Sequence, residues 1–275
     1  MPELPADLDD TLRRALEEDV GPGDVTTEGT VPEDLQARGV FVAKAAGVPA
    51  GLHVARRTFE LLDDVRWSPE SVDGMWVDPG TELAGVAGRA RTLLTGERVA
   101  LNFLTHLSGV ATLTREYVDA CQGTESVILC TRKTMPGLRP LERYAVEVGG
   151  GALHRAGLYD AVLIKDNHVA IAGGVGEAVR RAREHTDLEV EVEVESLDQL
   201  GEAMDAGADR ILLDNPDTDL VKRAVDAVGG RVPLEVSGGM TVEKVREIAG
   251  LGELLISVGR ITHSAPALDI SLEVT

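Results

Sequence analysis

The sequence predicts an α/β protein in two parts: an antiparallel sheet with a helical cover near the N-terminus, followed by repeated βα units that close into a barrel. Three observations carry this expectation. From Ala37 to Trp76, short β-prone runs are separated by Gly and Pro turns. After Gly123 the texture changes to alternating short apolar strands and amphipathic helices, which implies parallel strands joined by helical crossovers. Polar residues then cluster at the C-terminal ends of nearly every one of those strands. That is the rim on which barrel enzymes assemble their sites, and it favours a barrel over an open doubly wound sheet.

Residues 7 to 19 place Leu8, Leu12 and Leu16 at four-residue spacing behind acids in the first turn, as an amphipathic helix requires. VGPGDVTT at 20 to 27 ends it in a turn whose Asp24, Thr26 and Thr27 can cap. The runs GVFVAK, VRW and MWV read as strands, with a helix at 55 to 62 between them and a further strand at 82 to 90. The next segment has Leu101, Leu104, Val110 and Leu113 at helical spacing, a polar face with Arg98 and His106, and candidate breaks at Gly96 and Gly109. Barrel strands are expected at 126 to 131, 161 to 165, 189 to 194, 210 to 213, 233 to 237 and 254 to 257. Helices fall at 140 to 149, 175 to 185, 197 to 206, 217 to 228 and 241 to 249. LDISLEV at 268 to 274 alternates like a strand and returns to the first sheet, so the expected domains are 1 to 110 joined by 265 to 275, and 111 to 264.

The 275 residues carry a formal charge of −20. One stretch, Thr131 to His168, departs from this with six Lys/Arg against four acids, so an anion is expected to bind there. The overall acidity argues against nucleic acid as a partner. No run approaches the roughly 20 apolar residues of a membrane span, and the N-terminus has no apolar signal core, so a cytoplasmic protein is expected. Cys121 and Cys130 form neither a disulfide framework nor a CxxC pair. Lysine supplies only five of the 27 basic residues, and an acidic, lysine-poor surface suits a high-salt cytoplasm.

The candidate chemistry lies on the rim. Arg132 and Lys133 end the first barrel strand, where an arginine fork can hold a carboxylate by two charge-assisted bonds. Three glycines at 149 to 151 precede His154 and Arg155; they signal either close approach of backbone to a ligand or a helix C-cap. Lys165 is delivered by an apolar strand and suits a Schiff-base nucleophile or an anion clamp. Glu193 and Asp214 end successive strands and can hold Mg²⁺, directly or through water, or stabilise a cation. Ser237-Gly238-Gly239 and Ser257-Val258-Gly259 form two small-residue loops on consecutive late strands, a phosphate signature strengthened by the helix expected after Gly239. No HExxH spacing is present, which argues against zinc.

Taken together, EEDVGPGDVTT, ERVALNFLTHLSGVATLT, TRKTMPGLR, EVGGGALHRAGLYDAVLIKDNH, EVEVESL, ILLDN, EVSGGM and SVGRITHSAPALDISLEV resemble quinolinate phosphoribosyltransferase over nearly the whole chain. The resemblance implies an N-terminal α/β sandwich, an incomplete α/β (TIM-like) barrel, and a homodimer in which one subunit's sandwich covers the other's barrel. It implies transfer of phosphoribosyl from phosphoribosyl pyrophosphate (PRPP) to quinolinate with decarboxylation, giving nicotinate mononucleotide, CO₂ and pyrophosphate in NAD synthesis. Arg132, His154, Arg155 and Lys165 would hold the dicarboxylate, with Arg98 reaching across the dimer. Lys133, Glu193 and Asp214 would face the ribose and pyrophosphate with Mg²⁺ and carry catalysis, and the two Ser/Gly loops would take the 5′-phosphate. The rival readings are a phosphoribosyltransferase for another ring acid, a Schiff-base aldolase through Lys165, and a non-catalytic phospho-ligand binder.

Overall fold

In the computed structural model, which describes residues 2–275, the chain forms two units. The first comprises the residues up to Arg115, Thr134–Gly150 and Ile261–Thr275. Its sheet has four antiparallel strands in the order β10 (Ile270–Val274), β1 (Gln36–Ala43), β3 (Glu82–Arg89) and β2 (Arg66–Pro69). The alternation read in LDISLEV does return that segment to the first sheet, with Phe41 opposite Leu272.

One face of the sheet packs on α3 (Leu52–Glu60) and on α4 (Ala90–Ala120), around Phe41, Phe59, Leu83, Leu93 and Leu104, each fully buried. Helix α1 (Leu8–Val20) buries the predicted Leu8, Leu12 and Leu16. The turn after it is capped as expected: Asp24 accepts the Thr27 N–H at 3.0 Å and starts the short α2 (Val25–Thr30). Helix α3 lacks a local cap; the buried Asp73 carboxylate accepts the N–H groups of Gly51 and Leu52, and Tyr144 donates to it at 2.6 Å. Tyr144 lies on α5 (Arg139–Val148), a helix inside the stretch assigned to the barrel that belongs to the first unit.

Two expectations fail here. MWV at 75 to 77 is not a strand: only Val77 pairs, with Gly47, while Met75 and Trp76 are exposed and gain nothing from an extended pairing. Helix α4 is unbroken for 31 residues. Its glycines serve packing, since a Cβ on Gly96 would meet Phe59 at 2.8 Å and one on Gly109 would meet the Pro266 carbonyl at 2.1 Å.

The second unit, Glu116–Lys133 with Gly151–Arg260, holds six parallel strands: β4 (Val127–Leu129), β5 (Val162–Ile164), β6 (Val190–Val194), β7 (Arg210–Asp214), β8 (Leu234–Ser237) and β9 (Leu254–Ser257). Their order, β4-β9-β8-β7-β6-β5, is sequential with the last strand beside the first, the order of a barrel wound in sequence. It is incomplete. Beyond β4 the ladder continues only as a bridge from Leu129 to Ala152. Helices α7 (Val175–His185), α8 (Leu197–Asp205), α9 (Thr218–Val228) and α10 (Val242–Ile248) lie at the predicted crossovers, and Ser196, Asp217 and Thr241 cap the last three. Helix α6 (Asp166–Ala172) was not foreseen; the Lys165 N–H closes its first turn by donating to His168 Nδ1 at 3.0 Å. Among the described residues no helix is long and apolar enough to cross a membrane.

The Gly109 contact generates a test. Gly109→Ala forces a methyl against a backbone carbonyl that has no rotamer to escape by, so we expect a loss of about 1–3 kcal/mol in urea unfolding. Substitution by Ala at Gly201, which also lies inside a helix and whose added Cβ meets nothing within 4 Å, gives the baseline for any effect of adding a methyl.

Candidate active site

A cavity of about 290 Å³ opens within the second unit, its polar wall formed by strand ends and its apolar wall by Leu163 and Leu212. Strand β4 delivers Arg132 and Lys133, where the Lys133 N–H turns back onto Thr131 Oγ1 at 3.1 Å. The loop before β5 supplies His154 and Arg155, and Lys165 follows β5 directly. Ser237 and Ser257 line the cavity from the ends of β8 and β9. Seven residues singled out in the sequence thus surround one volume.

The cations are held by geometry rather than left to wander. Arg155 Nη1 donates to the Ala161 carbonyl at 3.3 Å. Burial and then the charge of Arg132 lower the Arg155 pKa from its ordinary value, so the two guanidiniums lie close enough to repel. An anion between them relieves that repulsion. Lys165 Nζ pairs with Glu193 at 2.7 Å, and Glu193 is the more buried partner. Asp214, at the end of the next strand, is held above the usual carboxylate range by burial and then by the Glu193 charge, with Lys165 and Lys133 opposing. Two crowded carboxylates of this kind are hard oxygen donors that fit a small divalent cation.

His154 stands on a deeper layer that the sequence reading missed. Its Nε2 lies 2.9 Å from Glu191 and 3.3 Å from Glu235, both buried inside the barrel. Glu191 alternates with Val190 and Val192 on β6, and Glu235 with Leu234 and Val236 on β8, so each shares the inward face with Glu193 or Ser237. The signal was present: EVEVEV alternates where an interior parallel strand normally reads as continuous apolar residues.

Among the described residues the Oε1 atoms of both carboxylates have no hydrogen-bond partner, so two full charges there would be expensive. Burial would lower His154, but the hydrogen bonds that Nε2 donates to Glu191 and Glu235 outweigh it and raise it to about 9. Burial first, with Glu235 adding, raises Glu191 to about 7, while His154 keeps Glu235 below the usual range against its burial. The three titrate as a unit, so these values belong to the cluster and not to the ring alone: with Nδ1 accepting the Arg155 N–H, the extra proton held at neutral pH sits on the carboxylates. Their donor atoms lie within 4.8 Å of one another, near enough for a metal ion. The Arg155 N–H donates to Nδ1 at 2.7 Å, however, which puts the ring proton on Nε2 and makes that nitrogen a donor to the carboxylates.

The late loops differ from expectation in three details. The helix after Gly239 begins at Val242, and Thr241 Oγ1 accepts the Lys244 N–H, so one donor of its first turn is taken by the chain's own cap. What remains is backbone: Gly238 and Gly239 have φ of +95° and +56°, and a Cβ on Gly238 would sit 2.7 Å from Asn215. The Val258 N–H is engaged by the Leu129 carbonyl at 3.0 Å and its side chain is buried, which withdraws it from the phosphate set. Gly259 follows it directly in the same loop. The glycine run at 149 to 151 resolves toward capping: Gly149 closes α5 against the Ala111 carbonyl and Gly150 turns the chain at φ +94°. Arg98 is exposed on α4 in the first unit and does not line the cavity.

Comparison with known proteins gives a consistent result. The family profile of the quinolinate phosphoribosyl transferase N-terminal domain matches residues 24–108, and that of the C-terminal domain matches residues 110–273. The chain is 44% identical over 262 residues to a probable nicotinate-nucleotide pyrophosphorylase [carboxylating] of Bacillus subtilis, covering 94% of this chain and 90% of that protein. It is 44% identical over 272 residues to the nicotinate-nucleotide pyrophosphorylase [carboxylating] of Mycobacterium leprae, covering 96% of each. Among solved structures, NadC from Streptococcus pyogenes superposes with a TM-score of 0.96 at 42% identity, over 100% of this chain and 99% of that one.

The His154 cluster predicts how stability depends on pH. Its folded-state value of about 9 exceeds the ordinary histidine value of 6.5, so the stabilisation is complete below about pH 6.5 and is lost as pH rises toward 9. Urea midpoints should therefore fall across that window, and His154→Gln should flatten the fall; an unchanged slope in the variant would assign it to other groups.

Proposed function

Because the chain belongs to the quinolinate phosphoribosyltransferase family, we propose that it transfers the phosphoribosyl group of PRPP to quinolinate with loss of CO₂, giving nicotinate mononucleotide and pyrophosphate. The single observation that carries the residue roles is the grouping of Arg132, Lys133, His154, Arg155 and Lys165 around one cavity in an otherwise acidic protein. Arg132, His154, Arg155 and Lys165 hold the two ring carboxylates. Leu163 and Leu212 give the flat ring an apolar wall. The pairing of Lys165 with Glu193 among other cations supports an anion clamp over an imine-forming lysine.

The chemistry follows from charge. As pyrophosphate leaves, positive charge grows on the ribosyl carbon, and Glu193 and Asp214 stabilise it while Lys133 neutralises the leaving group. The ring nitrogen already carries a lone pair and attacks that carbon without a general base. The resulting pyridinium accepts the electron pair left on the ring carbon when the adjacent carboxylate departs as CO₂, and a proton then fills that position. Glu193 and Asp214 would hold Mg²⁺, directly or through water, and bound there the ion adds charge neutralisation at the phosphates. Backbone at Gly238, Gly239 and Gly259, with Ser237 and Ser257, takes the 5′-phosphate.

The working unit is a homodimer, in which Arg98 of one subunit completes the ring-acid pocket of the other. The barrel unit supports this with exposed apolar side chains, Leu158 at 74%, Tyr159 at 78% and Ile171 at 87%, which a second copy would cover. Two buried cysteines outside any disulfide and the acidic surface suit a reducing cytoplasm, where we place the protein.

Turnover with quinolinate, PRPP and Mg²⁺, following nicotinate mononucleotide and CO₂ together, tests the reading against nicotinate as parallel substrate. Product from quinolinate alone is expected; product from nicotinate alone would remove the second carboxylate sub-site. Arg98→Ala should lower turnover about tenfold to a hundredfold, the value of one lost charge-assisted hydrogen bond. Mixing it with inactive Lys165→Ala should restore activity through hybrid dimers, and a dead mixture of subunits shown to exchange would sink the cross-subunit role.

A further inference from the structure

Beneath the ring-acid pocket lies a row of charged groups to which no family role is attached above. Glu235 is fully buried on β8 and reaches the cavity wall. Its Oε2 faces two donors, His154 Nε2 at 3.3 Å and Arg210 Nη1 at 3.4 Å. Arg210, on β7, is tied by its other nitrogen to Glu189 at 2.9 Å, so it cannot swing away from the barrel floor without breaking a second ion pair. Glu191 approaches the same His154 nitrogen from β6 at 2.9 Å.

The imidazole is therefore gripped at both ends. The Arg155 N–H holds Nδ1, and the carboxylates hold Nε2. The terminal torsion of a histidine is broad and roughly two-fold, so a ring held at one nitrogen only loosely can turn over and put carbon where each nitrogen was. Here a turned ring would set C–H edges against the two carboxylates and against the Arg155 N–H, losing both interactions at once, and the other tautomer would lose them equally. Two strands anchored by Arg210 thus decide which edge of His154 the pocket meets.

We propose that Glu235, seconded by Glu191, is a positioning residue for the ring acid, acting through His154 to keep one ring orientation beside Arg132 and Arg155. It rests on the assignment of His154 to a ring carboxylate made above. Glu235 is the stronger of the two candidates because it alone joins His154 to Arg210 and it alone lines the cavity.

The test combines kinetics with a measurement that needs no turnover. Wild type, Glu235→Ala and Glu235→Gln are compared with quinolinate and PRPP varied separately, and the His154 ring is followed by nitrogen-15 NMR without substrate, its signals assigned with His154→Gln. Glu235→Ala should raise the quinolinate KM about tenfold and leave the PRPP KM within about twofold. The ring should pass from a single Nε2–H tautomer in the wild type to a mixture. Glu235→Gln keeps an oxygen acceptor at the same place and should recover the wild-type ring signals and most of the affinity. Glu235→Met, which fills the volume without an acceptor, replaces the alanine variant if that fails to fold.

Parallel rises in both KM values, or ring signals that do not move in the alanine or methionine variant, would overturn the positioning role. So would zinc chloride displacing the Nε2 proton in the wild type, which would make the cluster a metal site. A wild type inactive with quinolinate counts against the proposed function alone, and the ring measurement then still decides the role of Glu235.

Discussion

A buried carboxylate must be paired, and the barrel of this protein is arranged around that constraint. Placing Glu191 and Glu235 inside a sheet carries an effective penalty of several kcal/mol per uncompensated ion. His154 and Arg210 offset it from the loop before β5 and from β7. The same arrangement fixes the ring of His154 at the floor of the cavity. A stability requirement of the core and the geometry of the site are met by one set of contacts.

Above that layer the sign of the charge reverses. Arg132, Lys133, Arg155 and Lys165 converge from β4, the following loop and β5, and Lys165 pairs there with Glu193. The burial of Arg155 beside Arg132 leaves a local excess of positive charge that an anionic ligand relieves. Glu193 and Asp214 crowd each other at the edge of the same field, and that suits them to a cation, whether a metal ion or a ribosyl carbon with growing positive charge. The alternation of sign from floor to rim comes from the two-residue period of the strands: Glu191 and Glu193 on β6, and Arg210, Leu212 and Asp214 on β7, share inward faces at successive depths.

The first unit solves a different problem, the close approach of a 31-residue helix to its surroundings. Glycines at 96 and 109 admit Phe59 and the Pro266 carbonyl to its surface. Helix α3 borrows its N-terminal cap from Asp73, whose carboxylate is itself oriented by Tyr144. These contacts couple segments far apart in sequence, and they explain why α5 groups with this unit although the chain around it builds the barrel.

Much of this was legible in the residues. Periodicity located α1, α4, the six barrel strands and the crossover helices, because hydrophobic spacing and caps are local properties of the chain. The clustering of Arg132, Lys133, His154, Arg155 and Lys165 was legible too, since the end of a barrel strand is recognisable from its pattern. Local pattern misread MWV, where only Val77 finds a pairing partner, and took the glycines of α4 for breaks, because a packing glycine and a breaking glycine look alike in sequence. It also passed over Glu191 and Glu235, whose meaning appears only when β6 and β8 bring them to one histidine. The sequence by itself determined the elements, their order and the chemistry available at each strand end. Only the tertiary structure decided which inward carboxylates meet which ring nitrogen, because that depends on the depth and register of strands separated by whole crossovers.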